Sequence, residues 1–106
     1  MSEPIVVLVT CGSEEEGLKI ARSLVEDRFA ACVSLVPAVR SIYRWEGKIW
    51  DEEEWLLIIK TQKHRIEELE KNVKALHSYS VPEIISLPII QGAPSYLDWL
   101  EEMTRK

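Results

Sequence analysis

Hydrophobic positions along this chain follow two rhythms, and they alternate. Ile5 to Thr10 (IVVLVT) is an unbroken run rich in β-branched residues, the pattern of a central strand covered on both faces. Ser13-Glu14-Glu15-Glu16 then reads as a helix start in which Ser13 caps the N3 amide and Glu16 reaches back to the cap. Leu18, Ala21, Leu24 and Val25 recur at helical spacing and predict a helix running to about Arg28. From Ala31 to Trp45 the apolar and aromatic positions Val33, Leu35, Val39, Tyr43 and Trp45 are odd-numbered, the period-two sign of a strand with one packed face. Pro37 has no ladder N–H, so it implies a bulge or an edge position. Trp45-Glu46-Gly47-Lys48 supplies a turn, and the returning strand ends in the apolar run Trp55 to Ile59. Ile66, Leu69, Val73 and Leu76 mark one stripe of a second helix, with Glu67, Glu68, Lys71 and Lys74 on the other side. Ile84 to Ile90 reads as a fourth strand despite Pro88. Gly92-Ala93-Pro94 then opens a short terminal helix, with Pro94 in its first turn.

The order β-α-β-β-α-β plus a closing helix is the split β-α-β pattern, a ferredoxin-like α+β fold whose antiparallel sheet has the spatial order 4-1-3-2. With 106 residues, 46% of them hydrophobic, the whole chain from 1 to 106 forms one domain around one core. In this topology the end of strand one and the beginning of strand four are neighbours. Cys11 therefore comes to the same rim as His77 and Glu83, which lie in the connector LHSYSVPEII, Leu76 to Ile85.

The balance of 13 basic against 18 acidic residues, a formal charge of -5, repels polyanions and argues against a nucleic-acid surface. The start MSEPIVVLVTCGSEEE carries no basic leader, and its apolar run from Ile5 to Val9 is far shorter than a membrane span. The expectation is a soluble, cytoplasmic protein. Cys11 and Cys32 are too distant in sequence for a CxxC motif, and a cytoplasmic setting argues against a disulfide.

A thiolate, an imidazole and a carboxylate are common ligands of borderline transition metals, and the first two suit copper or zinc. Cys11, His77 and Glu83 are thus candidate metal ligands. Because Cys11 precedes a helix start, it is expected to be the reactive cysteine, with Cys32 a small core residue. Each candidate also has a structural reading: Cys11 as the buried end of strand one, His77 as a cation at a helix C-terminus, Glu83 as an acceptor for connector amides or a neighbouring chain. Tyr79 could fix the loop by packing its ring and donating its hydroxyl. His64, beside Lys63 and Arg65, reads as solvated, as does the acidic segment Asp51 to Glu54. No nucleophile, base and acid can be assembled, and no glycine-rich phosphate loop is present, so nothing supports an enzyme. Trp45, Trp50 and Trp55 with Tyr43 are too much aromatic surface for solvent. Trp55 is assigned to the core; a second subunit is the simplest cover for the rest, and a head-to-tail contact closing into a ring permits a trimer.

The segments SIYRWEGKI (Ser41 to Ile49), LLIIKT (Leu56 to Thr61), LHSYSVPEII and YLDWL (Tyr96 to Leu100), with RFAACVSLVP and VPEIISLPI, together resemble the CutA divalent-cation tolerance family over nearly the whole chain. The resemblance implies a ferredoxin-like subunit in a tight homotrimer, similar in architecture to PII signalling proteins, whose long hairpin joins sheets between subunits. It also implies an association with tolerance of copper and other divalent cations. The family's proposed copper ligands carry over to Cys11 and His77, with Glu83 a further polar candidate. Where some members have two adjacent histidines, this chain has Leu76-His77. Two functions follow: a trimer that binds or responds to divalent metal ions, or a PII-like regulatory or scaffold trimer whose clefts take a small ligand or a protein partner.

Overall fold

Elements follow in the order that the hydrophobic rhythms predict, and the computed structural model describes residues 2–106 of them. They are β1 (Pro4–Cys11), α1 (Glu14–Glu26), β2 (Cys32–Trp45), β3 (Lys48–Gln62), a 3-10 turn (Lys63–Arg65), α2 (Ile66–Leu76), β4 (Ile84–Pro88) and α3 (Pro94–Met103). The four strands form one antiparallel sheet in the order β2-β3-β1-β4, the expected order read from its other edge. Each helix has a local cause. Ser13 Oγ accepts from the Glu16 amide at 3.2 Å and starts α1, while Pro94 stands in the first turn of α3. At the end of α1 the chain turns through Arg28, at φ 61°, and the carbonyl of that turn is met by a buried arginine: Arg65 Nε donates to Arg28 O at 3.2 Å.

One face of the sheet carries the core. Antiparallel pairing sets Val7 opposite Ile59 and Val9 opposite Leu57, and the period of two sends all four to the same side. There they are wholly buried with Ile20 and Leu24 of α1 and Leu69 and Val73 of α2. Each such side chain contributes about 1.5–3 kcal/mol of transfer free energy. Trp55 packs against this cluster, as expected.

The opposite face is only partly covered. α3 lies against β1 and β3 with Leu100 fully buried, and Gln62 Nε2 donates to Thr104 Oγ1 at 3.0 Å. Further along, Ile85 and Leu87 of β4 pair with Leu8 and Val6 and remain 52% and 51% exposed. At the other end β2 and β3 run on past β1 as a hairpin. Its two turn residues, Glu46 and Gly47, have φ of 51° and 77°, the left-handed pair that a tight hairpin of native twist requires.

Strand β2 departs from its sequence reading in one respect. Val36 pairs with Leu56, but the next pairing is Val39 with Glu54, so β2 spends three steps where β3 spends two. One extra residue reverses the parity of everything that follows. Val33 and Leu35 therefore share the helix-covered face, opposite Ile59 and Leu57, whereas Val39, Tyr43 and Trp45 point to the other side. The odd-numbered series is not one face but two. Pro37 and Ala38, the latter at φ 59°, are where it divides.

Candidate functional site

Topology brings the end of β1, the start of α1 and the connector after α2 to one rim, and His77 is its pivot. The imidazole is buried, with Nε2 2.7 Å from the Thr10 carbonyl and Nδ1 accepting from the Tyr79 amide at 3.1 Å. A carbonyl can only accept and an amide N–H can only donate, so the ring carries its proton on Nε2. Both nitrogens are thereby engaged. Glu16 fixes the same connector from the other side, accepting from the Ser78 amide and from Ser78 Oγ, the latter at 3.0 Å. Its side chain therefore does not reach back to its own helix cap, because the connector's amide is the better-placed donor.

Cys11 points inward. It is fully buried, lies 3.2 Å from where a side-chain carbon on Gly17 would sit, and weakly donates to the Ser13 carbonyl at 3.5 Å. Burial is the chief reason that its thiol is pushed above the ordinary value of 9.0, with the carboxylates of Glu16 and Glu54 adding to the shift. This corrects the expected roles of the two cysteines. Cys11, despite preceding a helix, is the core residue, and Cys32 is the partly exposed one.

Beside this closed arrangement lies an open cleft of about 540 Å³, lined among others by Thr10, Tyr43, Trp45, Glu54, Tyr79 and Glu83. Glu83 is exposed at its mouth, whereas Glu54 is only 5% exposed and accepts from the Tyr79 hydroxyl at 2.7 Å. Burial, then the bond to Glu54, pushes the Tyr79 phenol far above its ordinary range. The Tyr43 hydroxyl donates to Glu52 and is pushed up to about 12, chiefly by that bond. Both phenols are therefore fixed as donors to carboxylates through the neutral pH range.

The family model for the CutA1 divalent ion tolerance protein matches residues 5–103. This chain belongs to the CutA1 family. A divalent-cation tolerance protein CutA of Thermus thermophilus is 54% identical over 99 residues, which are 93% of this chain and 96% of that relative. A chloroplastic CutA protein of Arabidopsis thaliana is 50% identical over 101 residues, 95% of this chain but only 56% of its own length. The crystal structure of CutA1 from Oryza sativa superposes with a TM-score of 0.95 at 46% identity, covering 98% of this chain and 95% of that one. The CutA1 family is thus named for tolerance and not for a reaction, and its fold is the one that the element order predicts.

For a CutA1 chain the question is whether the donors fit a metal ion. Glu83 lines the open cleft beside Thr10 and Tyr79, whereas neither Cys11 nor His77 lines it. The thiol is turned into the core and both imidazole nitrogens are occupied, so the three do not form a closed ligand shell in this subunit. Among the described residues no group of three His, Cys, Asp or Glu side chains is placed to hold a metal. Sequence reasoning missed Glu54, which it left in a solvated acidic segment. The signal was available: two steps along β3 from Leu56, Glu54 shares a face with the Leu56 and Ile58 positions that the sheet half buries.

Proposed function

We propose that this chain serves divalent-cation tolerance as a homotrimer without a catalytic step, binding or responding to divalent ions such as copper at the rim shared by Cys11, His77 and Glu83. Family membership is the observation that carries the reading. Assembly is supported by apolar surface without a partner: Ile42 and Ile49 on the hairpin are 68% and 62% exposed, and Ile90 beyond β4 is 95% exposed. Its compartment on this reading is the cytoplasm, in keeping with two free thiols.

Glu83 offers its carboxylate directly, while Cys11 and His77 become available only if the connector shifts and their present partners are released. Copper affinity on this reading is modest. It weakens as pH falls, because thiol and imidazole ligate only after losing protons. The test is copper titration of the native protein and of the Cys11→Ser, His77→Ala and Glu83→Gln variants, with assembly mass followed in parallel. Three variants that bind as the parent does would remove the rim as the metal site.

A second reading, a PII-like trimer that responds to a small molecule or protein partner, is favoured by the size and mixed lining of the cleft. Ligands retained in that cleft through purification would support it.

A further inference from the structure

The connector from Ser78 to Glu83, between the end of α2 and the start of β4, is held by polar contacts where the core elements are held by apolar burial. None of its residues is fully buried, and its valine, Val81, is 67% exposed. Two fastenings hold its first half. On the cleft side the Tyr79 ring lies over Gly12, where a side-chain carbon would stand 3.4 Å from the phenol oxygen, and the hydroxyl donates to Glu54 at 2.7 Å. On the helix side Glu16 accepts from the Ser78 amide through Oε1 and from the Ser78 hydroxyl through Oε2, the latter at 3.0 Å. Both oxygens of one carboxylate grip one residue.

His77 sits between the two fastenings. Its side chain has no exposed surface, and the amide that fills Nδ1 belongs to Tyr79, the residue next to Ser78. Glu16 Oε1 lies 3.5 Å from the same nitrogen. A segment with few buried apolar contacts opens locally at small cost, so its hydrogen bonds decide how often it opens. Releasing Ser78 lets the Ser78–Tyr79 backbone turn away and frees the Nδ1 lone pair, while the bond from Nε2 to the Thr10 carbonyl keeps the ring in place. We propose that the Glu16–Ser78 contact is a latch, which seals His77 when closed and presents Nδ1 to solvent when open. The Tyr79 anchor on Glu54 stays fastened in both states. Glu16 lies in the first turn of α1, on the helix-covered side of the sheet, whereas Tyr43 and Trp45 point to the other side, so a subunit packed over the hairpin leaves the latch free to work. The latch goes beyond the metal reading, since its opening requires no ion.

The experiment is native-state amide exchange and diethyl pyrocarbonate acylation of the assembled protein and of Glu16→Gln, in metal-free buffer. Glutamine keeps the size of Glu16 but offers a single acceptor oxygen, so one of the two bonds to Ser78 is lost. The Ser78 and Tyr79 amides are expected to exchange faster in Glu16→Gln by about tenfold or more, with the amides of Val9 and Leu57 in the core strands changing far less. The reagent acylates a free imidazole nitrogen, and peptide masses tell the two histidines of the chain apart. His64, which is exposed, is expected to react equally in both proteins, and His77 to gain by the same factor as the Ser78 amide. Ser78→Ala removes the hydroxyl bond and keeps the amide bond, so a smaller increase is expected in both readings. Unchanged exchange at Ser78 and Tyr79 in Glu16→Gln would overturn the proposal, and so would an equal acceleration at Val9 and Leu57, the sign of global unfolding. Faster exchange without faster acylation of His77 would also overturn it, because something other than the latch would then seal the imidazole. Should Glu16→Gln not fold, the same three comparisons in Ser78→Ala decide. With no metal added, these outcomes are independent of the copper titrations that test the rim.

Discussion

The two faces of the sheet are finished to different degrees. Toward α1 and α2 the strands present Val7, Val9, Leu57 and Ile59 with no exposed surface at all, whereas the other face leaves Ile85, Leu87, Trp45 and Tyr43 between 36% and 52% exposed. The difference separates two jobs. The first face holds the subunit together, and the second is apolar surface whose burial waits on something outside the chain, with the buried acid Glu54 at its edge.

Removing a core side chain from the finished face has the largest effect. Leu57→Ala is expected to lower subunit stability by about 2–5 kcal/mol, read from denaturant midpoints extrapolated to infinite dilution. The unfinished face responds differently. Ile85→Asp with Leu87→Asp is expected to reduce native mass to that of one subunit while lowering isolated-subunit stability by less than Leu57→Ala does. An unchanged mass would place the assembly contact elsewhere, and Trp45→Ala would then be the next surface to examine.

Tyr79 stands where the faces meet, and Tyr79→Phe leaves Glu54 buried without its donor. A loss of about 1–3 kcal/mol follows at neutral pH. The same phenol makes stability depend on alkaline pH. Its pKa is raised by folding, so its stabilising effect is complete below the ordinary value of 10.0 and is lost as pH rises above it. Cys11, also raised, acts in the same direction from its ordinary 9.0 upward. A stability profile of Tyr79→Phe should therefore decline less steeply above pH 10 than the parent; parallel curves would assign the alkaline loss to other groups. The smallest effect concerns the thiols: native labelling should reach Cys32 first and Cys11 only on unfolding, as single Cys→Ser variants would report.

Much of this was legible in the sequence because it depends on local rhythm. The element order, the strand order and the capping by Ser13 each follow from residue type at fixed spacing. The convergence of Cys11 with the His77 connector followed from topology alone, and the bond from His77 Nε2 to the Thr10 carbonyl bears it out. What escaped depends on counts that no residue announces. Pro37 does announce a bulge or an edge, and the shift between Val36 and Val39 bears that out, but nothing in Val36-Pro37-Ala38-Val39 says that the odd-numbered series changes face there. Arg65 reads as a surface charge until its guanidinium is seen closing α1 over the Phe29 ring, 5.0 Å away. Glu54 and Cys11 escaped for a related reason: helix starts and charge runs describe a residue's neighbours in sequence, while burial is decided by neighbours in space.

The extra residue at Pro37–Ala38 also bears on how such a chain can change over generations. Because it turns the distal half of β2 away from the helices, substitutions before Pro37 are tried against the folding of the subunit. Substitutions after Ala38 are tried against whatever the protein meets. One strand thus answers to two separate physical demands, the inner half to packing against the helices and the outer half to the surface that the hairpin meets.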